Sequence, residues 1–368
     1  MRPPLHSIAA HAVGVADRLT DLPPPLANPS ALRARAYAPA DLSPGAPMVV
    51  VLHGCTQTAA GYDHGAGWST LADRYGFVLL FPEQARANNP NLCFNWFRPG
   101  DVSRTGGEAE SIANIVKAML AKYELDRSRV FITGLSAGGA MTAVMLATHP
   151  EMFAGGAIIG GLPYGCASNI PEALRQMREP QSGDGAALAT DVRRAAGDYQ
   201  GSWPTVSLWH GSADATVDIS NMERLGRQWR HVHGIEDAIP TITREAGWEH
   251  RAWRHADGRG LVEEWRIVGM GHGVPLDLSG PEHLGAGGPY MLDVGISSTA
   301  HIARSWGLTA GNAAAVEERA AAAPASRFTR LAGMDGSPVP DAASSASAPA
   351  GAVQRTIERA LRSAGLMR

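Results

Sequence analysis

The stretch Arg129-Val-Phe-Ile-Thr-Gly-Leu-Ser136-Ala-Gly-Gly-Ala140 decides the fold. Arg129 to Thr133 is a short apolar run rich in β-branched residues, the pattern of a strand buried on both faces. Ala140 to Thr148 has helical character and stops near His149-Pro150. Between them, Gly134, Gly138 and Gly139 crowd around Ser136. A turn this tight from strand to helix tolerates only small neighbours. It leaves one hydroxyl projecting from the carboxyl edge of a sheet, above a helix N-terminus that favours negative charge. Ser136 is therefore a candidate nucleophile.

The same alternation extends in both directions. Arg33 to Tyr37 reads as an outer strand. Met48 to His53, Phe77 to Phe81, Ala154 to Ile159 and Thr205 to Leu208 read as further strands, and Leu261 to Val268 as the last. Helices are predicted at Trp68 to Tyr75 and at Glu108 to Leu125, where Ile112, Ile115, Val116 and Leu120 share a face. Strands alternating with helices predict an α/β fold with a mostly parallel sheet covered on both faces. Asn169 to Tyr199 interrupts the rhythm with a polar, helix-prone insertion, either a cap over the functional edge or a surface excursion. Residues 1–32, with the run Pro23 to Pro25, read as an irregular lead-in, and residues 33–308 as one α/β domain. Residues 309–368 read as an Ala/Ser/Pro-rich tail.

A serine hydroxyl needs a base to become a nucleophile, and the base needs an orienting acid. Downstream lies Val206-Ser-Leu-Trp-His-Gly-Ser-Ala-Asp214-Ala-Thr-Val217, where a strand ends and a glycine turn places Asp214 in the following loop. Asp218, the nearest competitor, falls where the next helix begins and suits a cap. Seven histidines follow Asp214. Only His272 lies between glycines directly after a predicted strand, in Gly269-Met-Gly-His272-Gly-Val-Pro275. A tetrahedral intermediate also needs backbone donors. The N–H of Ala137 is one, and the loop His53-Gly-Cys-Thr-Gln57 offers the N–H of Cys55 as the other. His53 is expected to brace this loop by hydrogen bonds. This acyl-transfer chemistry needs neither metal nor organic cofactor.

Bulk composition narrows the alternatives. Lys and Arg number 32 and Asp and Glu 35, for a net charge of -3 without a basic cluster, so nucleic acid is not the expected partner. No stretch reaches the roughly 20 apolar residues of a transmembrane span. No signal peptide is visible in Met1 to Asp21, which suits a protein that stays inside, one already trimmed, or another export route. The three cysteines, Cys55, Cys93 and Cys166, allow one pair plus a free thiol or three thiols.

Five strings taken together resemble the esterase family named after poly(3-hydroxybutyrate) depolymerases, whose relatives include feruloyl and acetylxylan esterases. They are Leu52-His-Gly-Cys-Thr-Gln57, Cys93-Phe-Asn-Trp96-Phe97, Gly134-Leu-Ser-Ala-Gly-Gly139, Gly161-Leu-Pro-Tyr-Gly-Cys166 and Gly271-His272. The resemblance covers about Arg33 to Leu308. It implies an α/β-hydrolase acting on a carboxylic ester, small or oligomeric, of a hydroxyalkanoate (poly- or oligo-3-hydroxybutyrate-like) or a hydroxycinnamate. It carries the triad onto Ser136, Asp214 and His272, and it implies a disulfide between Cys55 and Cys93. A disulfide fits an extracellular or periplasmic site, and the missing signal peptide fits the cytoplasm. Trp96, Phe97 and Tyr164 are candidates for an apolar acyl or aryl pocket, or for ordinary core. A serine peptidase of the same fold is the alternative enzyme. A binding module on a hydrolase scaffold is the alternative outside catalysis, although such a module would usually have lost a triad member.

Pro338 to Gly351 is nearly devoid of large apolar side chains and is predicted to be disordered. Val353, Ile357, Ala360 and Leu361 then repeat at helical spacing, giving a short amphipathic helix read as a docking segment for an unknown partner. No candidate triad or oxyanion residue lies there. Deleting Pro338 to Arg368 should leave turnover of a small soluble ester within about twofold, as measured on purified full-length and truncated enzyme.

Overall fold

Strands that are apolar at every position belong where both faces of a sheet are covered. The computed structural model describes residues 17–179, 184–280 and 283–309. The chain enters through β1 (Thr20–Leu22) and β2 (Arg33–Tyr37). β3 (Met48–Leu52) leads into α1 (Ala59–Ala66), α2 (Trp68–Tyr75) and β4 (Val78–Glu83). α3 (Gly107–Lys122), β5 (Val130–Leu135), α4 (Ala137–Thr148) and β6 (Gly155–Ile159) follow. α5 (Ile170–Arg178) and α6 (Gly185–Ala196) precede β7 (Thr205–Gly211) and α7 (Ser220–His233). β8 (Thr241–Glu245), β9 (Trp248–Arg254) and β10 (Gly260–Ile267) come next. β11 (Val274–Leu276), β12 (Met291–Asp293) and α8 (Ser298–Ser305) end the described chain.

Ten strands form one sheet in the order β1-β2-β4-β3-β5-β6-β7-β10-β9-β8. The six central strands from β4 to β10 are parallel, and antiparallel strands flank them on both sides. Successive side chains of a strand point to opposite faces, and the core divides accordingly. Val50, Leu52 and Ile132 pack on one face against Ile112 of α3, Val144 of α4 and Trp229 of α7. Val49, Val51 and Phe131 pack on the other against Tyr62 of α1, Leu71 of α2 and Ile302 of α8.

The register positions the functional edge. Leu52 pairs with Gly134, Leu135 with Ile159, and Ile159 with Trp209. The residues just past this line are His53, Ser136, Gly160 and His210, which therefore gather at one carboxyl edge. Open parallel sheets bind their ligands at that edge.

Several sequence expectations change. α4 begins at Ala137, three residues before its predicted start, so no linker separates it from Ser136. Thr20 to Leu22, read within an irregular lead-in, pairs with Ala34 to Ala36. Its register is fixed by charge: Arg35 bonds both Asp17 and Asp21 and donates to the Leu19 carbonyl. The hairpin β8–β9 precedes the strand predicted as last, and the small parallel pair β11–β12 follows it. The tail expectations for residues beyond 309 lie outside the described residues.

Trp306, just after α8, stacks on Phe131 at 4.8 Å and on Trp68 at 6.3 Å. Trp306→Ala should cost about 3–5 kcal/mol. Urea unfolding should show a lower midpoint with an unchanged slope.

Candidate active site

Ser136 has φ +58° and ψ −118°, a conformation that a residue with a side chain adopts only under constraint. Its N–H donates to the Ile159 carbonyl at 2.9 Å, which anchors the turn to the end of β6. A Cβ on Gly138 would lie 2.4 Å from the Leu52 carbonyl oxygen, so glycine is what lets α4 start against the end of β3. Ala137 is the first residue of α4. Its N–H has no carbonyl one turn back within the helix and is free to serve a ligand.

The facing loop is held on all sides. Gly54 N–H donates to Gln57 Oε1 at 2.8 Å, and Gln57 N–H donates to the Gly54 carbonyl. Thr56 N–H donates to the Asn91 carbonyl at 2.7 Å. Cys55 N–H takes no partner among the described residues, so this constrained loop offers one open donor. Cys55 and Cys93 form a disulfide with their Cα atoms 4.2 Å apart, tying this loop to the segment before Trp96. Cys166 is the remaining thiol, and burial pushes its pKa up to about 12.

Two buried side chains brace this region from beneath. Gln84 N–H donates to His53 Nε2 at 3.1 Å, so Nδ1 carries the proton and donates to the Gly54 carbonyl at 2.8 Å. Burial lowers the His53 pKa and keeps the ring neutral. Glu108, in the first turn of α3, accepts from Asn95 N–H at 2.8 Å, Asn95 Nδ2 at 2.6 Å and Gln84 Nε2 at 2.7 Å. Burial pushes its pKa up to about 7, against the pull of these donors.

Asp214 lies in the loop after β7, with its side chain 1% exposed. Oδ1 accepts from the N–H groups of Thr216 and Val217 at 2.8 and 2.9 Å. Oδ2 accepts from His272 Nδ1 at 2.6 Å. Burial acts to raise the Asp214 pKa, but the charge of His272 and hydrogen bonds from His210 and His272 prevail and hold it well below the usual carboxylate range. Asp218 instead accepts from Ser220 N–H and Oγ from the position before Ile219, the residue that caps α7, so it braces the helix start without being the cap itself. The His272 ring lies against Gly160, where an added Cβ would come within 3.1 Å of it, and edge-on to Tyr290 at 6.2 Å. Because Nδ1 faces Asp214, Nε2 is the nitrogen left to act on a substrate. Ser136 and His272 are thus both placed at the end of β6, one bonded to Ile159 and the other packed on Gly160.

Both line one cavity, together with Cys55, Ala137, Trp96 and Phe97. Tyr164 does not line it. Its hydroxyl donates to the Val102 carbonyl, and its backbone is bonded on both sides to Gln228, so it packs behind the wall. In its place α5 contributes Ile170, Ala173, Leu174 and Met177. Their i, i+3, i+4, i+7 spacing was a legible apolar face within the insertion, which therefore caps the site. Tyr290, at φ +63°, is a further wall residue that nothing in the sequence singled out.

The disulfide has a direct test. Thiol titration of denatured, unreduced enzyme should find one free thiol. Cys93→Ser should lower turnover more than tenfold while the enzyme remains folded by circular dichroism, because the Cys55 donor is no longer clamped.

The family model described as Esterase PHB depolymerase matches residues 34–258, a span that includes Ser136 and Asp214 and stops before His272. Poly(3-hydroxyalkanoate) depolymerase C of Paucimonas lemoignei is 42% identical over 282 residues, covering 76% of this chain and 68% of its own. Acetylxylan esterase of Coprinopsis cinerea is 34% identical, covering 67% of each. The solved acetyl xylan esterase from Aspergillus awamori superimposes with a TM-score of 0.67 at 26% identity, over 79% of this chain and 99% of that one. The chain is an α/β-hydrolase of the Esterase PHB depolymerase family, a carboxylic ester hydrolase.

Proposed function

We propose that the enzyme hydrolyses hydroxyalkanoate esters, small or oligomeric, by acyl transfer through Ser136, His272 and Asp214. The observation that carries this reading is the shared cavity. A serine on a constrained turn and a histidine bonded to a buried carboxylate open onto one apolar pocket. Ser136 Oγ attacks the ester carbonyl carbon and passes its proton to His272 Nε2. The N–H groups of Cys55 and Ala137 stabilise the oxyanion. Collapse breaks the ester C–O bond, and the leaving alkoxide takes the proton from His272. Water then attacks the acyl-enzyme with His272 again as base, releasing the acid and restoring Ser136. Asp214 orients the ring and stabilises its cation.

The wall built by Trp96, Phe97 and α5 suits an uncharged acyl chain, and no Asp, Glu, Lys or Arg lines it among the described residues. The depolymerase relative at 42% identity supports a hydroxyalkanoate. The Cys55–Cys93 disulfide supports an oxidising compartment, extracellular or periplasmic.

Ser136→Ala should abolish ester turnover and labelling by a fluorophosphonate while leaving the fold intact. Asp214→Asn should cost on the order of 10⁴ in kcat, whereas Asp218→Asn should cost little. In a panel of nitrophenyl esters, methyl ferulate and hydroxybutyrate oligomers, the oligomers should outrank methyl ferulate in kcat/KM. The opposite ranking would move the substrate to hydroxycinnamates.

A further inference from the structure

His210 takes no part in the steps above, yet it is buried against the reacting pair. It lies in β7, one residue past the aligned edge of the sheet, and is 1% exposed. Its Nε2 is 2.8 Å from the Val217 carbonyl oxygen and 3.3 Å from Asp214 Oδ2. Both neighbours are acceptors, so Nε2 carries the hydrogen and donates into the fork between them. The oxygen it faces is the one that accepts from His272 Nδ1. Oδ1 is occupied by Thr216 and Val217. The carboxylate is therefore met by four donors, and two of them are histidines on a single oxygen.

The geometry points to His210 as a positioning residue: its Nε2–H ties the acid loop shut at Val217 and shares Asp214 Oδ2 with His272, limiting the negative charge that Asp214 presents to the base. This inference rests on the proposed roles of Ser136, Asp214 and His272. Each donor on a carboxylate disperses part of its charge, and the field at the neighbouring imidazole falls with it. An Asp214 held by His272 alone would stabilise the imidazolium more strongly and keep the base protonated to higher pH. Among the described residues, few titratable groups face the pair. His210 comes from β7 and His272 from the loop after β10. Tyr290 faces His272 from the segment before β12, and Asp218 is engaged with Ser220.

The test is the pH profile of kcat/KM on nitrophenyl butyrate. In His210→Leu the acid limb should move up by about 0.5–1 pH unit, so that kcat/KM well below it falls about three- to tenfold further than on the plateau. His210→Gln keeps an N–H at similar reach and should bring the limb back toward wild type. A limb that stays in place in a folded His210→Leu enzyme, whatever the loss on the plateau, would overturn the proposal. Wild-type enzyme labelled with ¹⁵N-histidine provides a second measurement that needs no variant. The His210 Nε2–H resonance should move with the same midpoint as that of His272, because the two share an oxygen. A His210 signal indifferent to that titration would also overturn the proposal. Asp214→Asn separates the two levels of inference. If it retains wild-type turnover, the triad reading fails. If it collapses while the His210 tests are negative, only the role of His210 fails.

Discussion

The backbone of one residue governs the arrangement of the site. Ser136 holds a positive φ because three things meet there: the end of β5, the start of α4 and the Ile159 carbonyl that accepts its N–H. Relaxing that dihedral would swing the hydroxyl off the sheet edge and lift α4 from β3. The buried surface of the sheet opposes this, since every residue of β5 and α4 is buried. Local strain of this kind persists only when its surroundings over-determine it. The aligned carboxyl ends of β3, β5, β6 and β7 then deliver the remaining groups in register.

Buried charge is handled differently on the two sides of the cavity. Glu108 and Asp214 are both carboxyl groups removed from water. Neutral amides surround Glu108, and its pKa rises to about 7. Imidazoles flank Asp214, and it stays ionised. Amide donors satisfy oxygen lone pairs without offsetting a full charge, whereas an imidazole can take up charge itself. Glu108 suits a bracing role, anchoring Asn95 and Gln84 beneath the disulfide. Asp214 suits a partner whose charge must appear and disappear during turnover.

Much of this was legible in the sequence, for identifiable reasons. Glycines around Ser136, Asp214 and His272 carry steric information, and in the structure His272 is hydrogen-bonded to Asp214 and lines one cavity with Ser136. The central strands were readable because burial on both faces leaves no polar position. The hairpin β8–β9 was not, because β8 is exposed at every position and shows no apolar alternation. β11 and β12 are three residues each, too short for a period. Tyr164 reads equally as pocket or core, because an aromatic beside a glycine turn looks alike whether it faces a cavity or backs onto a helix, and the structure packs it against the core. Tyr290 and His210 gave no local signal, since each makes its contacts only in the folded loops: Tyr290 with His272, and His210 with Asp214 and Val217.

The hairpin has a consequence at the level of the whole molecule. A parallel sheet left open would end in a row of unpaired N–H and C=O groups able to recruit another chain. Here neither end of the parallel block is bare. On one side β2 and the three-residue β1 close it off, and β1 sits among the ion pairs of Arg33 and Arg35 with Asp21. On the other, β9 and β8 turn back against β10, and the outermost strand carries Arg244 and Glu245, with Arg244 bonded across to Glu249. A second molecule adding edge-on at β8 would have to desolvate these charges, which flank the exposed Ile242. The antiparallel margins thus place charged side chains on the outermost strands, the arrangement by which sheet edges are blunted against edge-to-edge pairing.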